Sequence, residues 1–313
     1  MTKPTVLLDF PALAPLIGRL SQDYEVLTLW DQPDRNAFLA GPGTRVRVIL
    51  GGMGQVDADL IGRLPNLGLI QRIGTGYENV DIGFARSRGV QVGYTPGVNA
   101  DDVADVALAL LLATVRGVAQ GDRMVRSGAW TPADRGPFTP SMKDLVVGVV
   151  GLGAIGQAVA ERVQAFRAEV RWWGPRPKPG AAWPRATSLI ELARGCQALV
   201  ICARSDASNV RLVDAAVLDA LGPGGVVVNV TRGGILDEDA LIERLKDGRL
   251  AGAGLDVFEQ EPTPPARWAE VPGAVLTPHI GGAAWGAVRA TVELALDNVR
   301  AFLAGEPLPT PVP

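Results

Sequence analysis

The run Val146-Val-Gly-Val-Val-Gly151-Leu-Gly153-Ala154-Ile155-Gly156-Gln-Ala-Val-Ala-Glu-Arg162 constrains the fold more than any other stretch: an apolar, β-branched segment passes through three spaced glycines straight into an amphipathic helical pattern. A strand followed at once by a helix needs a tight turn, which Gly151 permits. Gly153 leaves the backbone bare for a pyrophosphate to approach, and Gly156 lets the helix pack close to the strand. The first N–H groups of such a helix lack partners inside it and lie at the positive end of its dipole. Gly151, Gly153, Ala154, Ile155 and Gly156 therefore form a candidate dinucleotide-binding turn.

The rest of the chain repeats the alternation of short β-branched runs and helix-like stretches. Strands are predicted at Thr5–Leu8, Val46–Leu50, Leu67–Ile73 and Val90–Val92, then at Val146–Val150, Val170–Trp173, Ala198–Cys202, Val226–Val230, Ala251–Asp256 and Val275–Thr277. This pattern predicts an α/β protein built of βα units around parallel, doubly wound sheets. Between the two series one long helix is expected from about Asp101 to Val125, opened by Asn99 as N-cap. A second is expected from Ala287 to Leu303, and the closing Pro307-Leu-Pro-Thr-Pro-Val-Pro313 is too rich in proline for regular structure.

A chain of 313 residues with 47% hydrophobic and 20% charged residues has the makings of a sizeable core, which excludes wholesale disorder. Its net charge of -3 comes without a basic run, which argues against nucleic acid or an anionic membrane as partner and for a small-molecule ligand. The longest apolar run, Val106–Val115, is too short to span a bilayer, and Met1–Asp9 has no secretory pattern, so a cytoplasmic location is expected by default. Cys196 and Cys202 have neither metal-site spacing nor a histidine cluster beside them, and no metal is expected.

Candidate chemistry clusters at strand ends. In doubly wound sheets ligands sit at the carboxyl ends of the strands, and three of the later strands end in Thr231-Arg232, Asp256 through Glu261, and Thr277-Pro-His279, the last holding the only histidine. A fixed cation that holds a carboxylate and polarises a carbonyl, a histidine that donates a proton, and a carboxylate that favours the imidazolium make a set suited to hydride transfer. NAD binding also calls for an acidic residue at the end of the second strand of the glycine-turn series. Here Val170-Arg-Trp-Trp173 runs into Gly174-Pro175-Arg176-Pro177-Lys178 instead. An arginine with a lysine nearby suits a 2′-phosphate, so NADP is expected in preference to NAD, with NAD still open.

From about Val46 onward the chain resembles the D-isomer-specific 2-hydroxyacid dehydrogenases. The likeness rests on Val228-Asn-Val-Thr-Arg232-Gly-Gly-Ile-Leu-Asp-Glu-Asp-Ala-Leu, on Ala251-Gly-Ala-Gly-Leu-Asp-Val-Phe-Glu-Gln-Glu261-Pro and on Thr277-Pro-His279-Ile-Gly281. The resemblance implies a Rossmann-type cofactor domain, residues 98–282, inserted in a flavodoxin-like substrate domain of residues 1–97 and 283–313. It implies Arg232, Glu261 and His279 as catalytic residues, and Cys202, Val230, Thr231, Asp256 and Gly281 around the cofactor. It further implies Thr75 and Gly76, in Gly74-Thr-Gly-Tyr, beside Arg232 and His279 at the substrate, and a homodimer formed through the cofactor domain. Arg126-Ser-Gly-Ala-Trp130 and the missing acid at Gly174 look most like the glyoxylate/hydroxypyruvate and hydroxyphenylpyruvate reductases, which implies reduction of a small 2-oxo acid to the D-2-hydroxy acid. Phosphite oxidation within the same family and a nucleotide-sensing corepressor are the alternatives. The Ser-Arg-Ser-type phosphate clip is absent, and Ala203-Arg-Ser-Asp206 replaces the usual Pro-Leu-Thr-Pro.

Overall fold

Parallel pairing joins all the strands of the computed structural model, which describes residues 3–52, 54–206 and 208–313. Contacts divide the chain into two units, Met1–Val98 with Trp285–Pro313, and Asn99–Ala284.

The first unit holds β1 (Thr5–Leu8), β2 (Glu25–Thr28), β3 (Val46–Gly51), β4 (Leu69–Arg72) and β5 (Gln91–Gly93) in the order β2-β1-β3-β4-β5. This is the flavodoxin-like order. Alternate residues of the central strands face opposite sides. Leu7, Ile49 and Ile70 pack on Leu60 and Ile61, while Val6, Leu8, Val48 and Leu69 pack on Val292, Ala295, Leu296 and Val299 of the helix Trp285–Ala304.

The second unit holds β6 (Val146–Val150), β7 (Glu169–Trp173), β8 (Ala198–Ile201), β9 (Val226–Asn229), β10 (Gly252–Leu255) and β11 (Ala274–Leu276), ordered β11-β10-β9-β8-β6-β7. From β6 the chain steps outward to β7 and then crosses to β8 on the other side, so the strand order reverses between β6 and β8. That switch point is where a doubly wound sheet opens a crevice. Both faces are covered: Val147, Val149, Val200 and Val228 by the helices Ala100–Val115 and Ala154–Ala165, and Val150, Leu199, Ile201, Val227 and Leu255 by Leu192, Leu218 and Leu241.

Three sequence expectations change. The helix expected over residues 101–125 is two helices, Ala100–Val115 and Val118–Arg126, because Gly117 takes φ +63, which an α-helix does not allow. The strand β2 escaped notice because it lies at a sheet edge, half-buried along its length, and lacks the apolar run of the central strands. The proline-rich tail does pair: Thr310 and Val312 alternate with the prolines, so Val312 N–H donates to Val92 O at 2.8 Å while Thr310 O accepts from Tyr94 N–H at 3.1 Å. The prolines fall where no N–H is required.

The glycine turn after β6 divides its labour. A Cβ on Gly156 would lie 2.0 Å from Gly151 O, whereas one on Gly153 would meet nothing within 4 Å. Gly156→Ala is therefore expected to cost about 3 kcal/mol, the upper end of overpacking. Gly153→Ala should leave the melting temperature near the parent's. Thermal unfolding followed by circular dichroism checks both, and equal stability of the two variants would refute the packing account.

Candidate active site

Because all six strands of the second unit run parallel and in register, their carboxyl ends stand in one row: Val150 pairs with Trp173 and Ile201, Ile201 with Asn229, Asn229 with Leu255, and Leu255 with Leu276. The residues that follow these ends share an edge whatever their distance in sequence.

At the β6–β7–β8 end, Gly151 has φ +91 and backs onto the residue after Cys202: an added Cβ would come within 2.6 Å of Ala203 Cα. Gly153 is the N-cap of the helix Ala154–Ala165. Gly153 and Ala154 are exposed, Ile155 is half-buried and Gly156 is buried. The exposed turn and open space at Gly153 are what a pyrophosphate needs, so these residues fit a dinucleotide. Gly174 is buried with its carbonyl accepting from Arg185 at 2.7 Å, while Pro175 and Arg176 are exposed. Lys178 Nζ donates to Leu152 O, tying the loop after β7 to the glycine turn. Cys202 is buried, and burial pushes its thiol up to about 12, so it stays neutral.

At the β9–β10–β11 end, three polar side chains at the strand ends build the turns. Asn229, fully buried, accepts from Thr231 N–H at 3.1 Å and Thr231 Oγ1 at 3.2 Å, and its Nδ2 donates to Arg232 O at 2.9 Å. Val230 and Thr231 are thereby buried, while Arg232 is half-buried with its guanidinium donating to Thr231 O at 2.7 Å. Asp256, also fully buried, accepts from Thr277 Oγ1 at 2.6 Å and from the N–H groups of Ile280 and Gly281, each at 2.8 Å. Its backbone O takes His279 N–H at 2.9 Å. Asp256 thus holds the histidine loop. These bonds accompany a left-handed φ of +55 at His279, uncommon for any residue other than glycine.

His279 Nδ1 lies 2.7 Å from Glu261 Oε2, and the other carboxylate oxygen accepts Phe258 N–H at 3.0 Å. Burial alone pushes the Glu261 carboxyl up. The hydrogen bond from His279, the Phe258 N–H and the charges of His279 and Arg232 outweigh it and hold the group below its ordinary value. With Nδ1 engaged, Nε2 is the ring nitrogen left for a reacting group.

Thr75 and Gly76 belong to the first unit, in the turn after β4. There Gly74 has φ +139, Gly74 N–H donates to Thr95 Oγ1 at 2.9 Å, and Thr95 N–H returns to Gly74 O at 3.0 Å. Sequence reasoning overlooked Asn229 and Thr277. The signal was there: a lone Asn closing the run Val226-Val-Val, and a hydroxyl directly before Pro278. Among the described residues no group of three or more His, Cys, Asp or Glu is placed to hold a metal ion, and no helix is long and apolar enough to cross a membrane.

Residues 108–281 match the family model described as D-isomer specific 2-hydroxyacid dehydrogenase, NAD binding domain. The chain is 36% identical over 308 residues to hydroxyphenylpyruvate reductase of Plectranthus scutellarioides and, over the same length, to glyoxylate/hydroxypyruvate reductase A of Arabidopsis thaliana, with 98% of each chain covered. Among solved structures, a 2-hydroxyacid dehydrogenase of Ketogulonicigenium vulgare superimposes with a TM-score of 0.92 at 36% identity, covering 100% of this chain and 99% of the other. The NADPH-dependent glyoxylate/hydroxypyruvate reductase of Sinorhizobium meliloti, solved with NADP and malonate, gives 0.91 at 34% identity, covering 99% and 97%. The chain belongs to the D-isomer-specific 2-hydroxyacid dehydrogenase family.

Proposed function

We propose that this dehydrogenase works as a reductase of small 2-oxo acids of the glyoxylate, hydroxypyruvate or aryl-pyruvate type, yielding the D-2-hydroxy acid, with His279 as proton donor, Glu261 as its partner and Arg232 as substrate clamp. The observation that carries the reading is the 2.7 Å contact between His279 Nδ1 and Glu261 Oε2 at the strand edge that also carries Arg232. A dinucleotide held at the glycine turn would supply the hydride that C2 of the acid accepts. Arg232 pairs with the substrate carboxylate and draws charge onto the carbonyl oxygen, so that the negative charge developing there is met by a cation already in place. His279 Nε2 gives its proton to that oxygen, and Glu261 keeps the resulting ring oriented through Nδ1. In the first unit, the same reading assigns Thr75 and Gly76 to the substrate.

Replacing His279 by Gln should lower turnover by about 100-fold or more, the usual contribution of a positioned general acid, with dinucleotide binding intact. Arg232→Ala should raise KM and lower kcat together. Reduction needs the protonated ring, so activity falls as pH rises, and Glu261→Gln should move that fall to lower pH. The Glu261 carboxylate, held below its ordinary value, persists at pH values where a free glutamate is already neutral, so the parent pair should survive mild acid. Steady-state rates against pH for the three variants decide this, and normal turnover in H279Q would sink the assignment.

NADP is the proposed preferred cofactor, on the absence of a carboxylate after β7 and the exposed Arg176 there. The buried, unpaired Cys196 and Cys202 thiols agree with a reducing compartment such as the cytoplasm. NADPH should outperform NADH in nicotinamide absorbance assays with glyoxylate, hydroxypyruvate, phenylpyruvate and hydroxyphenylpyruvate. Arg176→Ala should weaken NADPH by about tenfold, the worth of one charge-assisted contact, and leave NADH unaffected. Equal loss with both cofactors would remove Arg176 from the phosphate.

A homodimer through the second unit is also proposed. The helix Val118–Arg126 buries none of its residues, and Val118, Val125, Trp130 and Phe138 are all more than half exposed, an apolar surface that a second copy would cover. Light scattering should give twice the chain mass of 32.8 kDa. A monomer at micromolar concentration would exclude this interface.

A further inference from the structure

The segment that carries Glu261, from Asp256 to Pro262, has no regular secondary structure; within it Phe258 N–H holds Glu261 Oε1 at 3.0 Å, so whatever holds the Phe258–Glu259 peptide also sets where the carboxylate stands. Two neighbours hold that peptide. A Cβ on Gly233 would fall 1.8 Å from Phe258 C, so the residue after Arg232 lies directly against the Phe258–Glu259 peptide. From the first turn of the helix Glu238–Lys246, Glu238 reaches the same peptide: its Oε1 accepts the Glu259 N–H. Its Oε2 accepts from Arg267 Nε at 3.1 Å, on the short helix Pro265–Trp268 that follows the segment. One carboxylate therefore ties the middle of the Glu261 segment to the element at its exit. Outside this tie, Arg211 bridges Asp237 and Glu259, each at 3.5 Å, and Asp239 takes the other nitrogen of Arg267 at 2.8 Å.

Glu238 is only 2% exposed. Burial pushes its carboxyl up, and the Glu259 N–H and Arg267 do not fully offset that. A group whose folded-state value is raised loses stabilising effect as pH rises through that value.

Resting on the reading of Glu261 and His279 as the proton-delivering pair, we propose that Glu238 is a positioning residue for that pair: by holding the Glu259 peptide it sets where the Glu261 carboxylate stands against the imidazole. The length of the side chain, more than its charge, carries this role. An amide of equal length still offers an oxygen to the Glu259 N–H, though it gives up the acceptor for Arg267, whereas aspartate keeps the charge and withdraws the oxygen by one methylene.

The chain has one histidine, so the ring signals of His279 stand alone in a proton NMR titration of the full-length, untagged, cofactor-free protein. Glu261→Gln is the reference and should move the ring's titration to lower pH. Glu238→Ala should move it the same way, by less than the reference variant does, and lower kcat for 2-oxo acid reduction about tenfold with KM for the dinucleotide unchanged. Glu238→Asp should shift it by less, and Glu238→Gln, which keeps the bond to the Glu259 N–H, should titrate nearest the parent. If Glu238→Ala does not fold, the contrast between Asp and Gln decides. A parent-like titration in Glu238→Ala or Glu238→Asp, with Glu261→Gln displaced, overturns the proposal even if melting temperature falls. If Glu261→Gln itself leaves the ring unmoved, the pair reading fails first and Glu238 loses its role with it.

Discussion

The parallel register of the second sheet is the constraint on which the site depends. Every connection in a parallel sheet must cross back over a face, so every strand begins at one edge and ends at the other. Because Val150, Trp173, Ile201, Asn229, Leu255 and Leu276 are register partners in a row, residues as far apart in sequence as Val150 and Ile201 finish side by side, and Val150 and Leu276 finish on one edge. The strands are held by apolar burial on both faces, which fixes their positions independently of the polar contacts at the edge. The glycine turn and the catalytic candidates thus share one edge because they share one core.

At that edge the backbone leaves the ladder and its N–H and C=O groups need other partners. Buried polar side chains supply them. Asn229 closes the turn to Arg232, and Asp256 closes the turn to His279. The first sheet uses the same device: Asp9, just past β1, accepts Gly52 N–H at 2.9 Å and faces Arg72, at the end of β4, at 3.3 Å. Burial pushes the Asp9 carboxyl up, its Gly52 and Arg72 contacts notwithstanding. In both sheets a buried carboxylate orders the loops at the carboxyl edge, where a well-packed core alone would leave them free to vary.

What the sequence made legible follows from what repeats locally. Strands buried on both faces are continuous β-branched runs, and Val146–Val150 matched residue for residue while its neighbours differed only by a residue or so at the ends. The glycine turn was legible because its requirements are steric and local, at Gly151 and Gly156. The edge strand β2 was not, since half-burial leaves a weaker pattern, and the break at Gly117 was hidden inside an apolar helical run. The tail's pairing to β5 depends on which prolines face the partner strand, a fact of register that no local window contains. Arg232, Glu261 and His279 stood out by chemical type and by their place after strands; Asn229, Thr277 and Glu238 did not, because a buried polar group looks like a surface one until its neighbours are known.

Asp256 stands at the edge where the sequence placed the cofactor, and its buried carboxylate also orders the loop there. It is fully buried and accepts from Thr277, Ile280 and Gly281. Those bonds are what allow His279 its left-handed backbone, which on its own costs of order 1–3 kcal/mol. With its backbone fixed by that loop, the His279 ring meets Glu261 Oε2 at 2.7 Å. The site is therefore organised in layers: apolar packing fixes the strands, buried Asn229 and Asp256 fix the turns, and only then do Arg232, Glu261 and His279 have defined positions from which to act.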